Sequence, residues 1–302
     1  MDAAAAFSQI FTGLSTASIL LMMALGLAVI FGLMGVINMA HGELMTMGAY
    51  TAYLCQQAFA HLAPDLSGWS YAVAIPMSFL VSALLGWVIE VLLVRHLYGR
   101  PLETLLATWG LSLILQQSFR TIFGSNNVFV GTPAVLTGGL ALGSSVQLPY
   151  VRLFILGLAA LSLFGIFMFL YRTRTGLMMR AVMQNRPIAA SCGISTRRID
   201  ALTFAFGSGL AGLAGCALAL IGSIGPTTGQ NYIVDSFMVV VLGGVGQLLG
   251  TVVGALTIGE VHALVEYFTS STAARVVVFT MIILFLQARP GGLFPSVTRV
   301  LD

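Results

Sequence analysis

The sequence predicts an all-α, polytopic membrane protein with about 8–10 transmembrane helices, some of them interrupted, and one arginine-rich cytoplasmic loop. Three observations lead there. The 302-residue chain is 58% hydrophobic and 8% charged, with a mean hydropathy of +0.98, whereas a soluble domain is about half apolar and about a quarter charged. Residues 3–42 hold no Asp, Glu, Lys or Arg, and residues 201–234 hold no charge at all; runs of about 20 apolar residues match the thickness of a bilayer core. Finally, six of the 13 basic residues, every one an arginine, fall in residues 171–198.

Nine apolar segments follow in order: 15–37, 44–60, 69–94, 104–123, 149–171, 201–222, 232–245, 248–267 and 272–289. The seventh is short enough to be a half-helix or a tilted segment. No linker separates two halves, so residues 1–302 read as a single membrane domain. The opening MDAAAAFSQIFTG has no positively charged region, so a cleaved signal peptide is not expected. Three scattered cysteines, Cys55, Cys192 and Cys216, show neither metal spacing nor a disulfide framework.

Arginine placement orients the chain. With the N-terminus outside and segments alternating, the inner side receives Arg95, Arg100, Arg172, Arg174, Arg180, Arg186, Arg197, Arg198, Arg289 and Arg299. The outer side receives only Arg120, Arg152 and Arg275. This satisfies the positive-inside rule and places the C-terminus in the cytoplasm. The long outer loop, 124–148, is uncharged.

Glycines pattern the interior. Small residues at four-residue spacing let membrane helices approach closely, as with Gly250 and Gly254 and in GSGLAGLAG (207–215). Two stretches interrupt helices: GVINMAHGELMTMGAY (35–50) and VVVLGGVGQLLGTVVGA (239–255). Both lie at inner turns and both contain Gly-Ala near their end, a faint internal repeat. Irregular backbone at membrane depth is tolerated inside protein or beside a water-filled cavity, so both breaks are expected to flank one central pathway.

Positive-inside bias by itself accounts for arginines in 171–198, but the loop also has internal order. Pro187 suits a first helical turn and Gly193 a C-cap, with the small apolar run Ile188-Ala189-Ala190-Ser191-Cys192 between them. Thr196 is a candidate cap for the next helix. A short apolar-faced helix flanked by arginines suits a groove on a cytosolic partner.

The pattern Arg180-Ala181, Ala189-Ala190, Gly193-Ile194 resembles the ATPase-coupling loop of ABC importer permeases. INMAHGELMTMGAY, VVVLGGVGQLLGTVVGA and the terminal RPGGLFP resemble the branched-chain amino acid permease family, and the resemblance covers nearly the whole chain. Within it, RPLETLLATWGLSLILQQ (100–117) and GPTTGQNYIVDSF (225–237) look like the urea-transporter branch. One departure is that the glutamate heading many coupling motifs is replaced here by Pro187-Ile188. The resemblance implies a second, homologous permease subunit, two cytosolic ATPase subunits, an external solute-binding protein and residence in the bacterial inner membrane. ATP and Mg would bind the ATPase subunits and no cofactor this chain, which has no G-x-x-x-x-G-K-[ST] motif and no lysine. No nucleic-acid partner is implied.

Candidate path residues are polar groups within apolar segments. His41 and Glu43 sit at the first break, either in a gate or as interfacial anchors; H-E-x-x-H is absent, so they make no zinc site. Thr108 and Gln116, eight residues apart, share a helical face, with Trp109 and Gln117 beside them; a path role competes with interhelical hydrogen bonding. Gln230, Asn231 and Asp235 lie where the outer loop enters the seventh segment, with N-capping the alternative for Asp235. Among Glu90, Glu260, His262 and Glu266, Glu260 is the one that span ends leave unexplained, and intramembrane ionisable groups are functional candidates by default.

An enzyme is a poor fit, because Gly207-Ser208-Gly209 is followed by small residues at the rhythm of helix packing. A passive channel would not need the coupling element. The neutral Thr108, Trp109, Gln116 and Gln117 suit a small diamide, and with the resemblance of residues 100–117 and 225–237 to the urea branch, urea is the expected solute. The alternative is a branched-chain amino acid permease of the same architecture.

Overall fold

The computed structural model describes residues 3–141 and 147–294. Arg299, residues 142–146 of the outer loop and Pro295 of the terminal motif lie outside the described residues. Eleven α-helices are present among the described residues. In chain order they are α1 (Ala3–Met34), α2 (His41–Leu62), α3 (Ser70–Leu92), α4 (Pro101–Phe123), α5 (Tyr150–Arg172), α6 (Arg174–Gln184), α7 (Arg186–Ser191), α8 (Thr196–Leu218), α9 (Thr228–Gly243), α10 (Leu248–Phe268) and α11 (Ser271–Ala288). A two-stranded antiparallel hairpin, β1 (Gly139–Ala141) and β2 (Gln147–Pro149), precedes α5.

The nine apolar segments reappear as α1–α5 and α8–α11. Six of these, α1, α3, α5, α8, α10 and α11, are long and apolar enough to cross a membrane. The chain is thus an all-α, multi-pass membrane protein. α2 and α4 fall outside the six; each carries polar and charged residues along its length. α9 has only 16 residues. α1 extends further toward the N-terminus than the apolar segment at 15–37 suggests, because alanines continue the helix.

α1 and α8 form the centre. In each, 78% of the most apolar window is buried, against 17% for α11 at the periphery. The chain reaches this density with glycine. A Cβ on Gly48 of α2 would collide with the Gly212 backbone of α8, and one on Gly86 of α3 with Ser208 of α8. Serines stitch the same seam, Ser78 Oγ donating to Gly48 O (2.8 Å) and Ser82 Oγ to Leu44 O (3.0 Å). Gly250 packs on Gly243, where α10 leaves α9.

Contacts sort the connections into two sides. The 128 and 224 backbones pair, and Gln56 bonds Gly131, on one side. Tyr98 meets Arg186, and Gly246 nears Met183, on the other. This matches the alternation used to divide the arginines.

The two breaks differ. Residues 35–40 turn back along α1, so that His41 Nε2 donates to Met23 O (3.2 Å). Met23 lies eleven residues before the end of α1, roughly 16 Å back along the axis at 1.5 Å per residue. α2 therefore starts deep in the protein. α9 starts at the same level, with Gly229 against Gly42 and Gly229 N donating to Thr46 Oγ1 (2.9 Å). The second break, residues 244–247, is a tight turn whose Gly246 rests on Gly32 of α1. The repeat is thus two helix–break–helix units of which only the first re-enters.

Two capping expectations are corrected. Ser195, not Thr196, holds the N-cap of α8, its carbonyl accepting from Arg198 N and Ile199 N. Asp235 caps nothing, because α9 begins at Thr228 and Asp235 lies in its third turn.

Candidate functional site

α4 carries a buried polar stripe at four-residue spacing: Thr104, Thr108, Ser112 and Gln116. On a helix that spacing places them on one face, while Leu106, Trp109 and Leu113 are exposed on others. The stripe packs on the re-entrant segment and the first turn of α2. Thr108 Oγ1 accepts from Met39 N (3.1 Å). Ser112 Oγ and Gln116 Nε2 both donate to Glu43 Oε1, at 3.1 and 2.9 Å, and Gln116 Nε2 also reaches Ser112 Oγ (3.1 Å).

Glu43 is fully enclosed, and its Oε2 has no hydrogen-bond partner among the described residues. Nearby on the same segment Asn38 uses Oδ1 to accept from Ala40 N (3.0 Å), while its Nδ2 has no partner. His41 donates from Nε2 to Met23 O, and its Nδ1 has no partner among the described residues. Buried polar atoms normally find partners. Residues 38–43 thus hold three buried polar atoms without a partner among the described residues: a carboxyl oxygen, an amide nitrogen and an imidazole nitrogen.

The structure therefore brings Thr108 and Gln116 of α4 onto the segment that carries Glu43 and adds Ser112, whereas His41 turns to Met23 of α1 and Thr46 to Gly229 of α9. The signal for Ser112 was present in the sequence, as the middle of the Thr108-to-Gln116 interval. The other candidates lie apart. The side chains of Trp109, Gln117, Gln230 and Asn231 are exposed. Asp235 is partly buried within α9, and Glu260 packs its carboxylate against Gly13 of α1. His262 Nδ1 stands 3.5 Å from Glu266 Oε2, and Glu90 pairs with Arg95 at 3.2 Å.

The arginine-rich loop is the second feature. Asn185 caps α7, its Oδ1 accepting from Ile188 N (3.0 Å), and Pro187 sits in the first turn as expected. Gly193 closes the helix at φ +83, a left-handed conformation suited to glycine, with its N–H on Ala190 O. Ala189 is buried, Ile194 half-buried, and Ile188 and Ala190 exposed. Arg180 lies 4.8 Å over the Tyr171 ring.

The family model described as "Branched-chain amino acid transport system / permease component" matches residues 9–286. The chain belongs to this permease family. The permease is 30% identical over 300 residues to the high-affinity branched-chain amino acid transport system permease protein BraD of Pseudomonas aeruginosa, covering 97% of each chain. It is 29% identical over 300 residues to the corresponding LivH protein of Escherichia coli K12, again with 97% of each chain covered. A more distant relative is the ribose import permease protein RbsC of E. coli K12, 27% identical over 221 residues, 70% of this chain and 66% of the relative. These relatives are transport subunits rather than enzymes. No solved structure matches the permease.

Proposed function

We propose that the chain is the membrane-spanning subunit of an ATP-driven importer for branched-chain amino acids, in the bacterial inner membrane with its N-terminus outside and its C-terminus and α6–α7 in the cytoplasm. The observation that carries the reading is the match over 97% of both chains to permeases named for that solute class. A second homologous permease, two cytosolic ATPase subunits holding ATP and Mg, and an external solute-binding protein complete the assembly. α7, with Ile188 and Ala190 outward, is the surface offered to an ATPase.

The geometry supports an amino acid over the diamide that the neutral residues of α4 suggest. Trp109 and Gln117 point away from the protein interior, and Gln116, with Ser112, binds the Glu43 carboxyl. Its free oxygen is an acceptor for an ammonium group, which is otherwise costly to move through an apolar interior. The N-terminal ends of α2 and α9 meet at Gly42 and Gly229, and helix N-termini favour a carboxylate.

A second reading is urea. The hydroxyls and amides of Thr108, Ser112, Gln116 and Asn38 match its carbonyl and amino groups, and residues 100–117 and 225–237 resemble the urea branch. Uptake in cells separates the two. With the gene deleted, leucine uptake falls and returns on complementation, while urea uptake is unchanged. Loss of urea uptake alone transfers the assignment to urea and leaves the importer architecture standing.

A further inference from the structure

α7 is attached to the membrane body at two points. One is the apolar contact of Ala189, its single buried residue. The other is Arg186, whose guanidinium pairs with Asp200 in α8 at 2.5 Å and lies 4.6 Å over the ring of Tyr98, in the turn between α3 and α4. A second pair, Arg95 with Glu90 at the end of α3, adjoins it, and the four charges lie within electrostatic range of one another. The carboxylate side chains of Glu90 and Asp200 are 1% and 4% exposed, and the arginines 32% and 41%. Two buried carboxylates thus face two arginines at the water's edge.

An apolar contact would hold a surface helix without enclosing carboxylates, since desolvation offsets much of the gain from a buried pair. What the Arg186 guanidinium adds is orientation, because one nitrogen bonds Asp200 while the group lies over the Tyr98 ring. The connector between α7 and α8, residues 192–195, is a short turn held by Gly193 N on Ala190 O and Ile194 N on Ala189 O; the Arg186 contact adds a side-chain tie across it. Behind it runs the packed seam already described. Ser208 of α8 meets Gly86 of α3, and Ser82 of α3 donates to Leu44 O of α2, one residue from Glu43.

We infer that Arg186, clamped by Asp200 and Tyr98, is the joint that passes movement of α7 to α8 and α3 together, and so to the start of α2 that carries Glu43. Arg186 is a positioning residue, and the inference rests on the importer reading above.

The test uses the full complex in proteoliposomes, purified with its ATPase subunits and supplied with the binding protein, and measures ATP hydrolysed alongside labelled leucine and labelled urea imported. Arg186→Ala and Asp200→Asn are expected to assemble and hydrolyse ATP, with solute imported per ATP falling about tenfold, within the usual range of a coupling between sites. The exchange Arg186→Asp with Asp200→Arg is expected to recover much of the lost ratio, and Arg186→Lys, which keeps the charge but not the planar group over Tyr98, to fall between. An unchanged ratio in assembled variants, or hydrolysis and uptake lost in equal proportion, overturns the joint. If Asp200→Asn fails to assemble, Arg186→Lys and the exchange variant decide alone. A wild-type complex without ATP-dependent uptake of either solute instead removes the importer reading itself.

Discussion

Gln116 on α4 donates to the Glu43 carboxyl of α2 at 2.9 Å, across 73 residues of chain. With Ser112 on the same carboxyl and Thr108 accepting from Met39 N, this bond ties α4 to the re-entrant segment and the first turn of α2. It also leaves the other Glu43 oxygen unpartnered. Position and chemistry together make the pair the natural place to probe transport.

Glu43→Ala leaves the Gln116 amide and Ser112 hydroxyl without their buried acceptor, a loss of about 2 kcal/mol. Melting of the detergent-solubilised protein should fall accordingly. Glu43→Gln keeps an oxygen acceptor and should recover most of the stability. Leucine uptake should stay low in both, because the amide cannot offer an anionic oxygen to an ammonium group. Full uptake by Glu43→Gln would show that the charge is not used.

Gly48→Val inserts a branched side chain where a lone Cβ already meets the Gly212 backbone. Overpacking of this kind costs about 1–3 kcal/mol, and yield and melting temperature should both drop. Gly110 on α4 has open space around its Cβ position. Gly110→Ala should be neutral or gain up to about 1 kcal/mol from helix propensity.

Gly193→Val forces a β-branched residue into the left-handed region at φ +83, a strain of about 1–3 kcal/mol. Because Gly193 is exposed at the end of α7, the membrane body should melt normally. ATP-driven uptake should fall while α7 loses its fixed exit. Equal uptake by the variant would show that the αL turn is dispensable.

Cys192 is exposed at the end of α7, whereas Cys216 is buried in α8. In a Cys55→Ala variant, which removes the half-buried cysteine of α2, a membrane-impermeant maleimide should label Cys192 in inverted vesicles stripped of ATPase subunits and not in intact cells. Adding the ATPase subunits back should protect it. Labelling in intact cells would reverse the proposed orientation.

The helices were readable because long apolar runs have few alternatives to membrane spans. Their edges were less so. α9 starts at Thr228 amid polar residues, so hydropathy placed its beginning late and made Asp235 look like a cap. The α4 stripe was half visible, since Thr108 and Gln116 share a face by spacing alone. Trp109 is one residue from Thr108 and therefore about 100° around the helix, and it points away. That Glu43 completes the stripe depends on six residues turning back along α1, a tertiary event with no local signature beyond Gly35 and the break in hydropathy. The pairing of Arg186 with Asp200 spans a loop, and positive-inside bias explains an arginine there without naming its partner.

The most direct measurement is accumulation of labelled leucine in proteoliposomes that hold the complete complex, with the binding protein outside and ATP within. Leucine should accumulate against its gradient only when ATP and both permease subunits are present, and excess isoleucine should compete while excess urea does not. Accumulation of urea in place of leucine, or uptake that proceeds without ATP, would contradict the account.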